Sequence, residues 1–385
     1  MSDRIYLDNA ATTWPKPAAV YDAVDHYLRH NGAAAGRGVY RDAVDADRLV
    51  ESARAKVAKL IHAPDPSRVV FTLNATDALN LALHGIVQPG DRVATSDVEH
   101  NSVLRPLQAL STSDDAQIAR IACDETGRID MSRLREALRE KPRLVAVTHA
   151  SNVTGVIQPI DEIVAAADEA GARVLVDAAQ SAGHLPIDVQ ALGVDLLAAS
   201  GHKGLLGLLG TGFLYIAPGL EAELQSLRQG GTGTRSDEDV QPTTMPDRYE
   251  SGNANVPGLA GMAAGVDYLM KEGVEAIHER EFALVQRLMH GLDNLPGVRM
   301  VGPPIGAPRV GLLAITVDGY DPRELAALLD ANFGIQVRAG LHCAPRIHKQ
   351  LGAWPTGTVR FSIGPFNTEE HVDAAIAAVR EAASG

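Results

Sequence analysis

The sequence predicts an α/β fold with a mainly parallel central sheet and a smaller α/β domain toward the C-terminus. Three observations carry this. Short runs that are apolar throughout recur in the first half of the chain; strands of that kind are buried on both faces, as in a parallel sheet covered by helices. Amphipathic stretches at helical spacing separate them. A second alternation of strand-like and helix-like segments follows a long polar stretch.

The elements follow in order. Val69-Val70-Phe71, Arg92-Val93-Ala94, Leu144–Val147, Val174-Leu175-Val176 and Asp195–Ala198 read as buried strands. Ser132–Arg139 and Ile160–Ala170 read as helices, the second ended by Gly171 as a C-cap. From Gly230 to Asn255 the chain is rich in Gly, Thr, Ser, Pro and Asp, which reads as a functional loop or a linker. A long helical stretch is expected over Gly258–Asn294. Then come Val310–Val317 as a strand, Pro322–Asn332 as a helix, Ile335–Val337 and Val359–Ile363 as strands, and Thr368–Ala383 as a closing helix.

Composition excludes several functions. The chain has 385 residues, 48 Asp+Glu against 35 Lys+Arg, and a formal net charge of −13. That balance argues against a nucleic-acid partner, which needs Lys and Arg to neutralise phosphates. Two cysteines, Cys123 and Cys343, make neither a disulfide framework nor a four-thiolate zinc site. No metal centre is expected. The N-terminus has no signal-peptide core, and no stretch reaches the ~20 apolar residues that span a bilayer. The expectation is a cytoplasmic protein with no membrane partner.

In a parallel sheet of this kind, ligands sit at the carboxyl ends of the strands. The residues there are Asn74, Thr76 and Asp77; Glu99, His100 and Asn101; His149, Ser151 and Asn152; Asp177 and Gln180; and Ser200, His202 and Lys203. A lysine amine, an acid, amides, imidazoles and hydroxyls at one sheet edge suit pyridoxal 5'-phosphate (PLP). The lysine condenses with its aldehyde, the acid keeps the pyridine nitrogen protonated, and a helix N-terminus binds its phosphate. No Gly-x-Gly-x-x-Gly or Walker-type pattern competes. Taken singly, Thr76 and Asn74 also read as helix caps, Asp177 as a loop acid, and Arg360 as an arginine on a wet strand face.

The chain resembles the cysteine desulfurase and selenocysteine lyase branch of the class V aminotransferases, PLP enzymes of fold type I. The markers are Tyr6-Leu7-Asp8-Asn9-Ala10-Ala11-Thr12-Thr13, Glu99-His100-Asn101, Ser151–Gly155, Asp177-Ala178-Ala179-Gln180-Ser181, Ser200-Gly201-His202-Lys203 and Arg338–Pro345. The resemblance implies a large PLP-binding domain at 16–268 and a small domain made of 1–15 and 269–385. It implies Lys203 as the PLP lysine, Asp177 at the pyridine nitrogen, Gln180 at the ring hydroxyl and His100 stacked on the ring. Ala75, Thr76, Ser200 and His202 would hold the phosphate. Arg360 would grip the substrate carboxylate, for which a guanidinium is suited by its bidentate geometry, with Arg338 near the same site; Asn152 would lie near both that carboxylate and the cofactor's ring hydroxyl. Cys343 would be the sulfur-accepting nucleophile.

The implied reaction converts L-cysteine to L-alanine and passes a persulfide from Cys343 to an acceptor protein, in a homodimer. Selenocysteine lyase and other class V reactions, aminotransferase or β-lyase, are the alternatives. Two residues depart from the family pattern. Asn253 stands where relatives carry a threonine that reaches the phosphate across the dimer interface, and Leu341 stands where close relatives often carry a histidine. The role of that histidine is then either missing here or taken by His342 or His348. Arg338 and His342 are the expected cations beside the Cys343 thiolate, which a nucleophilic cysteine needs. Cys123, His149 and His184 read as structural.

Overall fold

The computed structural model describes residues 4–235 and 237–384, so Met1–Asp3 of the N-terminal reading and Ser236 of the polar loop lie outside the described residues. The strands are β1 (Ile5–Tyr6), β2 (Val69–Thr72), β3 (Arg92–Ser96), β4 (Gln117–Ile121), β5 (Leu144–Thr148), β6 (Arg173–Asp177), β7 (Leu196–Ser200) and β8 (Gly212–Ile216). They continue with β9 (Val298–Val301), β10 (Leu312–Val317), β11 (Ile335–Gln336), β12 (Arg338–Gly340) and β13 (Thr358–Ser362).

The central sheet has the order β2-β8-β7-β6-β5-β3-β4. The β7–β6–β5–β3–β4 contacts are all parallel, and β8 runs antiparallel to both β7 and β2. Successive side chains of a strand point to opposite faces, and both faces here are apolar. Val145, Val147, Val174, Val176 and Leu197 join one core; Leu144, Ala146, Leu175 and Leu196 join the other. That is why these strands read as unbroken apolar runs.

The helices are α1 (Ala18–His30), α2 (Arg41–Leu60), α3 (Ala75–Ile86), α4 (Asn101–Ser113), α5 (Met131–Leu138) and α6 (Ile160–Ala170). They continue with α7 (Val189–Leu192), α8 (Val256–Glu272), α9 (Val274–Leu292), α10 (Pro322–Phe333), α11 (Pro345–Gln350) and α12 (Glu369–Ser384). In α6, Ile160, Ile163, Val164 and Ala167 fall at i, i+3, i+4 and i+7 and are buried. Each Ile or Val there is worth about 1.5–3 kcal/mol of transfer free energy. Gly171 ends α6 in the left-handed conformation, as expected. Helices α3 and α4 cover one face of the sheet; α2, α5, α6 and α8 cover the other.

A second sheet, β12-β13-β10-β9, is antiparallel throughout and packs on α9, α10 and α12 around Leu313, Ile315, Val359 and Phe361. Strand β1 pairs in parallel with β11 in a separate two-stranded sheet, and Asp8 bridges to Ser362 of β13, which ties the N-terminal segment to the second sheet. Gly230–Asn255 holds no helix or strand among the described residues.

The expected single helix over Gly258–Asn294 is two helices, broken at Gly273, whose φ of 83° lies in the left-handed region. Strand β8 escapes the run-based reading. It follows directly on the glycine-rich turn after β7, and its reversed direction comes from that short return.

Candidate active site

The carboxyl ends of β2, β3, β5, β6 and β7 lie along one edge of the central sheet, and local chemistry fixes each turn there. After β2, the Asn74 side chain caps α3 by accepting from Asp77 N at 2.9 Å. Gly212 opens β8 beside this cap; a Cβ there would lie 2.7 Å from the Asn74 backbone, so glycine lets α3 descend onto the sheet edge. After β3, His100 caps α4: its Nδ1 accepts from Ser102 N at 3.0 Å and lies 2.8 Å from Ser102 Oγ. Asp177 is the last residue of β6, and its Oδ1 accepts from Ala179 N at 2.9 Å. The turn after β7 carries Lys203. Its next residue, Gly204, packs so tightly that a Cβ on Gly183 would meet Gly204 O at 2.2 Å.

These turns enclose a cavity of about 240 Å³. Ala75, Thr76, His100, Asn152, Asp177, Gln180, Ser200, His202 and Lys203 all line it, so the structure brings these sequence-predicted residues together. Ser102 and Thr148 line it too, and sequence reasoning missed both. Ser102 Oγ lies 2.7 Å from Thr76 Oγ1 as well as beside His100, so one hydroxyl links two walls. A serine in the first turn of α4, two residues after the capping histidine, was the available signal.

The electrostatics are those of a buried site. Burial lowers Lys203 to about 8; the Asp177 carboxylate opposes this, and Arg360 and Arg338 reinforce it. Asp177 is raised by burial, against the Ala179 N–H and the Lys203 charge. His100 and His202 are each lowered to about 4, chiefly by burial and then by Lys203, so both imidazoles are neutral at physiological pH. Since His100 Nδ1 accepts a backbone N–H, the neutral ring carries its proton on Nε2.

Arg360 and Arg338 face each other in register on β13 and β12. Arg360 is fully buried, which removes the wet-face alternative: Nη1 donates to Asn152 O at 3.0 Å and Nη2 to Asp8 Oδ1 at 2.7 Å. Asp8 is thus a further polar residue of this region, quoted in the sequence only within a motif. Arg338 Nη2 donates to Cys343 Sγ at 3.4 Å. Asn101 N donates to Cys343 O at 2.7 Å, fastening the cysteine to the start of α4. His342 and Cys343 have φ of 47° and 58°, two successive non-glycine residues in the left-handed region. Cys343 lines a more open groove of about 520 Å³, which shares Thr76, His100 and Ser102 with the lysine cavity.

Other expectations fail or shift. His342 is not a cation beside the thiol. Its Nε2 lies 3.0 Å from Thr358 Oγ1, and burial, then Arg360, His348 and Arg338, hold it far below the ordinary imidazole range. His348 is buried in the same cluster, with Nδ1 donating to Ala344 O at 2.8 Å. Both histidines pack around Thr358. Asn253 lies outside the lysine cavity; exposed, it accepts from Arg37 Nε at 3.1 Å and lines a separate cavity of about 350 Å³ with Phe71 and Thr72. Cys123 is half-buried against Gln350, and burial, then Asp124 and Asp97, push its thiol up to about 11. His184 forms a buried pair with Glu281 at 2.8 Å, and buried His149 is lowered to about 4 by burial.

Residues 5–375 match the aminotransferase class-V family. The chain belongs to that family. As a class V aminotransferase it takes PLP and has the type I fold of the PLP enzymes. The probable cysteine desulfurase of Methanothermobacter thermautotrophicus is 37% identical over 378 residues, covering 97% of this chain and 93% of that protein. The cysteine desulfurase of Dickeya dadantii is 35% identical over 379 residues, covering 97% and 90%. Among solved structures, the apo cysteine desulfurase of Thermococcus onnurineus superposes with a TM-score of 0.93 at 36% identity, covering 100% of this chain and 95% of that one. An Escherichia coli cysteine desulfurase in an S-sulfonic acid form gives 0.89 at 31%, covering 99% and 95%.

The class V cavity fits PLP on its own evidence. His202 Nδ1 is buried without a partner, Ser200 Oγ already accepts from Ala75 N at 3.0 Å, and α3 presents its N-terminus. Donors of this kind suit a phosphate, and Asp177 and Lys203 line the same cavity. No helix among the described residues is long and apolar enough to cross a membrane.

Proposed function

We propose that this chain is a cysteine desulfurase that converts L-cysteine to L-alanine and receives the sulfur on Cys343. The observation that carries the reading is the position of Cys343. Its sulfur is held by Arg338, in a groove that shares the wall Thr76–Ser102–His100 with the Lys203 cavity.

In this reading Ala75, Thr76, Ser200 and His202 hold the phosphate of PLP, Asp177 and Gln180 the ring, and Lys203 its aldehyde carbon. Bound there, PLP supplies an electron sink for charge released at the substrate Cα. The chain's own groups do the rest. Arg360, steadied by Asn152 and Asp8, grips the substrate carboxylate. The Lys203 amine, with its basicity lowered toward neutrality, would move the Cα proton. His100 offers a proton from Nε2. Cys343 Sγ forms a bond to the substrate sulfur as the Cβ–S bond breaks. The electron pair of that bond stays with carbon, which gains a proton and becomes the methyl of alanine. Cysteine plus thiol gives alanine plus persulfide, so no outside oxidant or reductant is needed.

The persulfide then passes to an acceptor protein in the cytoplasm. A homodimer belongs to the same proposal: Asn253, exposed and outside the Lys203 cavity of its own chain, completes the partner subunit's phosphate seat. So does the division into 16–268 and 1–15 with 269–385, which the β1–β11 pairing supports. The test is product analysis with L-cysteine and L-selenocysteine. Alanine in equal amount to released sulfur supports the reading; a keto acid as the product overturns it.

A further inference from the structure

We propose that Asp8 is the positioning residue of Arg360, holding its guanidinium so that the substrate carboxylate meets a fixed set of donors. This rests on the reading of Arg360 as the carboxylate-binding group. Three observations lead to it. First, Arg360 is anchored from two sides, by Asp8 Oδ1 on Nη2 and by Asn152 O on Nη1, while its buried Nε has no partner. An arginine carries five N–H donors in a rigid fork. Fixing both terminal nitrogens orients the fork and leaves Nε and the remaining terminal hydrogens for a ligand.

Second, Asp8 balances charge. Arg338 stands directly opposite Arg360 in the strand pair, and two guanidinium groups this close repel. Asp8 is the carboxylate that touches Arg360, with its side chain still 21% exposed.

Third, Asp8 is built into the strand that carries Arg360. Ser362 N donates to Leu7 O at 2.7 Å, Ala10 N donates to Ser362 Oγ at 3.0 Å, and Asn9 Nδ2 donates to Ser362 O at 3.0 Å. Tyr6 OH donates to Thr12 O at 2.8 Å and closes the turn. That turn also reaches the lysine cavity, where Ala10 O accepts from Gln180 Nε2 at 3.0 Å. Asp8 therefore reads the register of β13 and fixes Arg360 relative to the floor of the site.

The test compares two probes on the holoenzyme. L-alanine carries the carboxylate; ethylamine is the same molecule without it. Both are titrated by the change in PLP absorbance. Asp8→Ala weakens L-alanine binding about tenfold or more, as expected for losing a hydrogen bond to a charged group, and leaves ethylamine within about twofold. Asp8→Asn, whose amide oxygen still accepts from Nη2, restores most of the loss. If Asp8→Ala does not fold, Asp8→Ser, too short to reach Nη2, must show the same selective loss. Equal weakening of both probes, or no change in either, overturns the proposal. Arg360→Lys separates the two claims. If it leaves the alanine-to-ethylamine ratio unchanged, the carboxylate role of Arg360 falls; if it shifts the ratio and the Asp8 variants do not, only the role of Asp8 falls.

Discussion

Arg338 and Arg360 stand directly opposite each other across the β12–β13 pair and serve different partners: Arg338 donates to Cys343 Sγ, Arg360 to Asp8 and Asn152. In the proposed function Arg338 serves the sulfur, rather than the carboxylate expected from the sequence, and Arg360 serves the carboxylate. Arg338→Ala should therefore slow sulfide release from L-cysteine by about tenfold to a hundredfold, the value of a hydrogen bond to a charged group. L-alanine binding should change far less. Single-turnover sulfide release and absorbance titration check this; a variant that loses alanine binding but releases sulfide normally would reverse the assignment.

The Lys203 amine should titrate near 8 in the cofactor-free protein, against an ordinary lysine value of 10.5. Burial favours the neutral form, so the reactive amine appears as pH rises through that value. The pH dependence of Lys203 labelling by an amine reagent, read by mass spectrometry, gives the midpoint. Asp177→Asn removes the charge that supports the ammonium and should move the midpoint lower still. A midpoint near the ordinary value, or an upward move in Asp177→Asn, contradicts the electrostatic account.

The His184–Glu281 pair makes a stability prediction with a sign. Burial opposes the imidazolium, but the Glu281 charge and hydrogen bond raise His184 above its ordinary 6.5. A raised folded-state value means stabilisation that is full below 6.5 and lost as pH rises through the folded value. Glu281→Ala should thus cost more stability at about pH 6 than at about pH 9, by denaturant unfolding. His184→Ala leaves a buried carboxylate uncompensated and should cost about 3–5 kcal/mol. A pH-independent difference for Glu281→Ala would remove the ion pair from the account.

Asn253→Ala should loosen the cofactor only if the residue reaches the partner subunit's site. Mixed with Lys203→Ala protein, it should form heterodimers in which one site has both Lys203 and Asn253. Cofactor retention above the average of the two parents, measured by absorbance after gel filtration, supports the cross-subunit role. Retention equal to that average removes it.

Much of the site is legible in the sequence because its residues are local to strand ends. Asp177 closes β6 and Lys203 follows β7 by three residues, so an apolar run followed by a chemical side chain locates each of them. The unbroken apolar runs were readable for the same reason the sheet is buried on both faces. What escapes is long-range. Asp8 and Arg360 are 352 positions apart, and the packing of the N-terminal turn on Ser362 brings them together. His342 looked like a partner of Cys343 by adjacency, yet the left-handed backbone at both residues sends its ring to Thr358 instead. The break at Gly273 was readable in principle, since a glycine between two helical stretches is a natural stop. The apolar spacing on either side concealed it.

The central claim is that Cys343 receives the sulfur, and the mass of the peptide containing it tests this most directly. After brief incubation of the holoenzyme with L-cysteine and no acceptor, that peptide should gain the mass of one sulfur atom. The gain should be removed by a thiol reductant, while the Cys123 peptide stays unchanged. Cys343→Ala should keep the PLP absorbance and lose sulfide release. An unmodified Cys343 peptide in enzyme that is turning over cysteine to alanine, or full sulfide release by Cys343→Ala, would contradict the account.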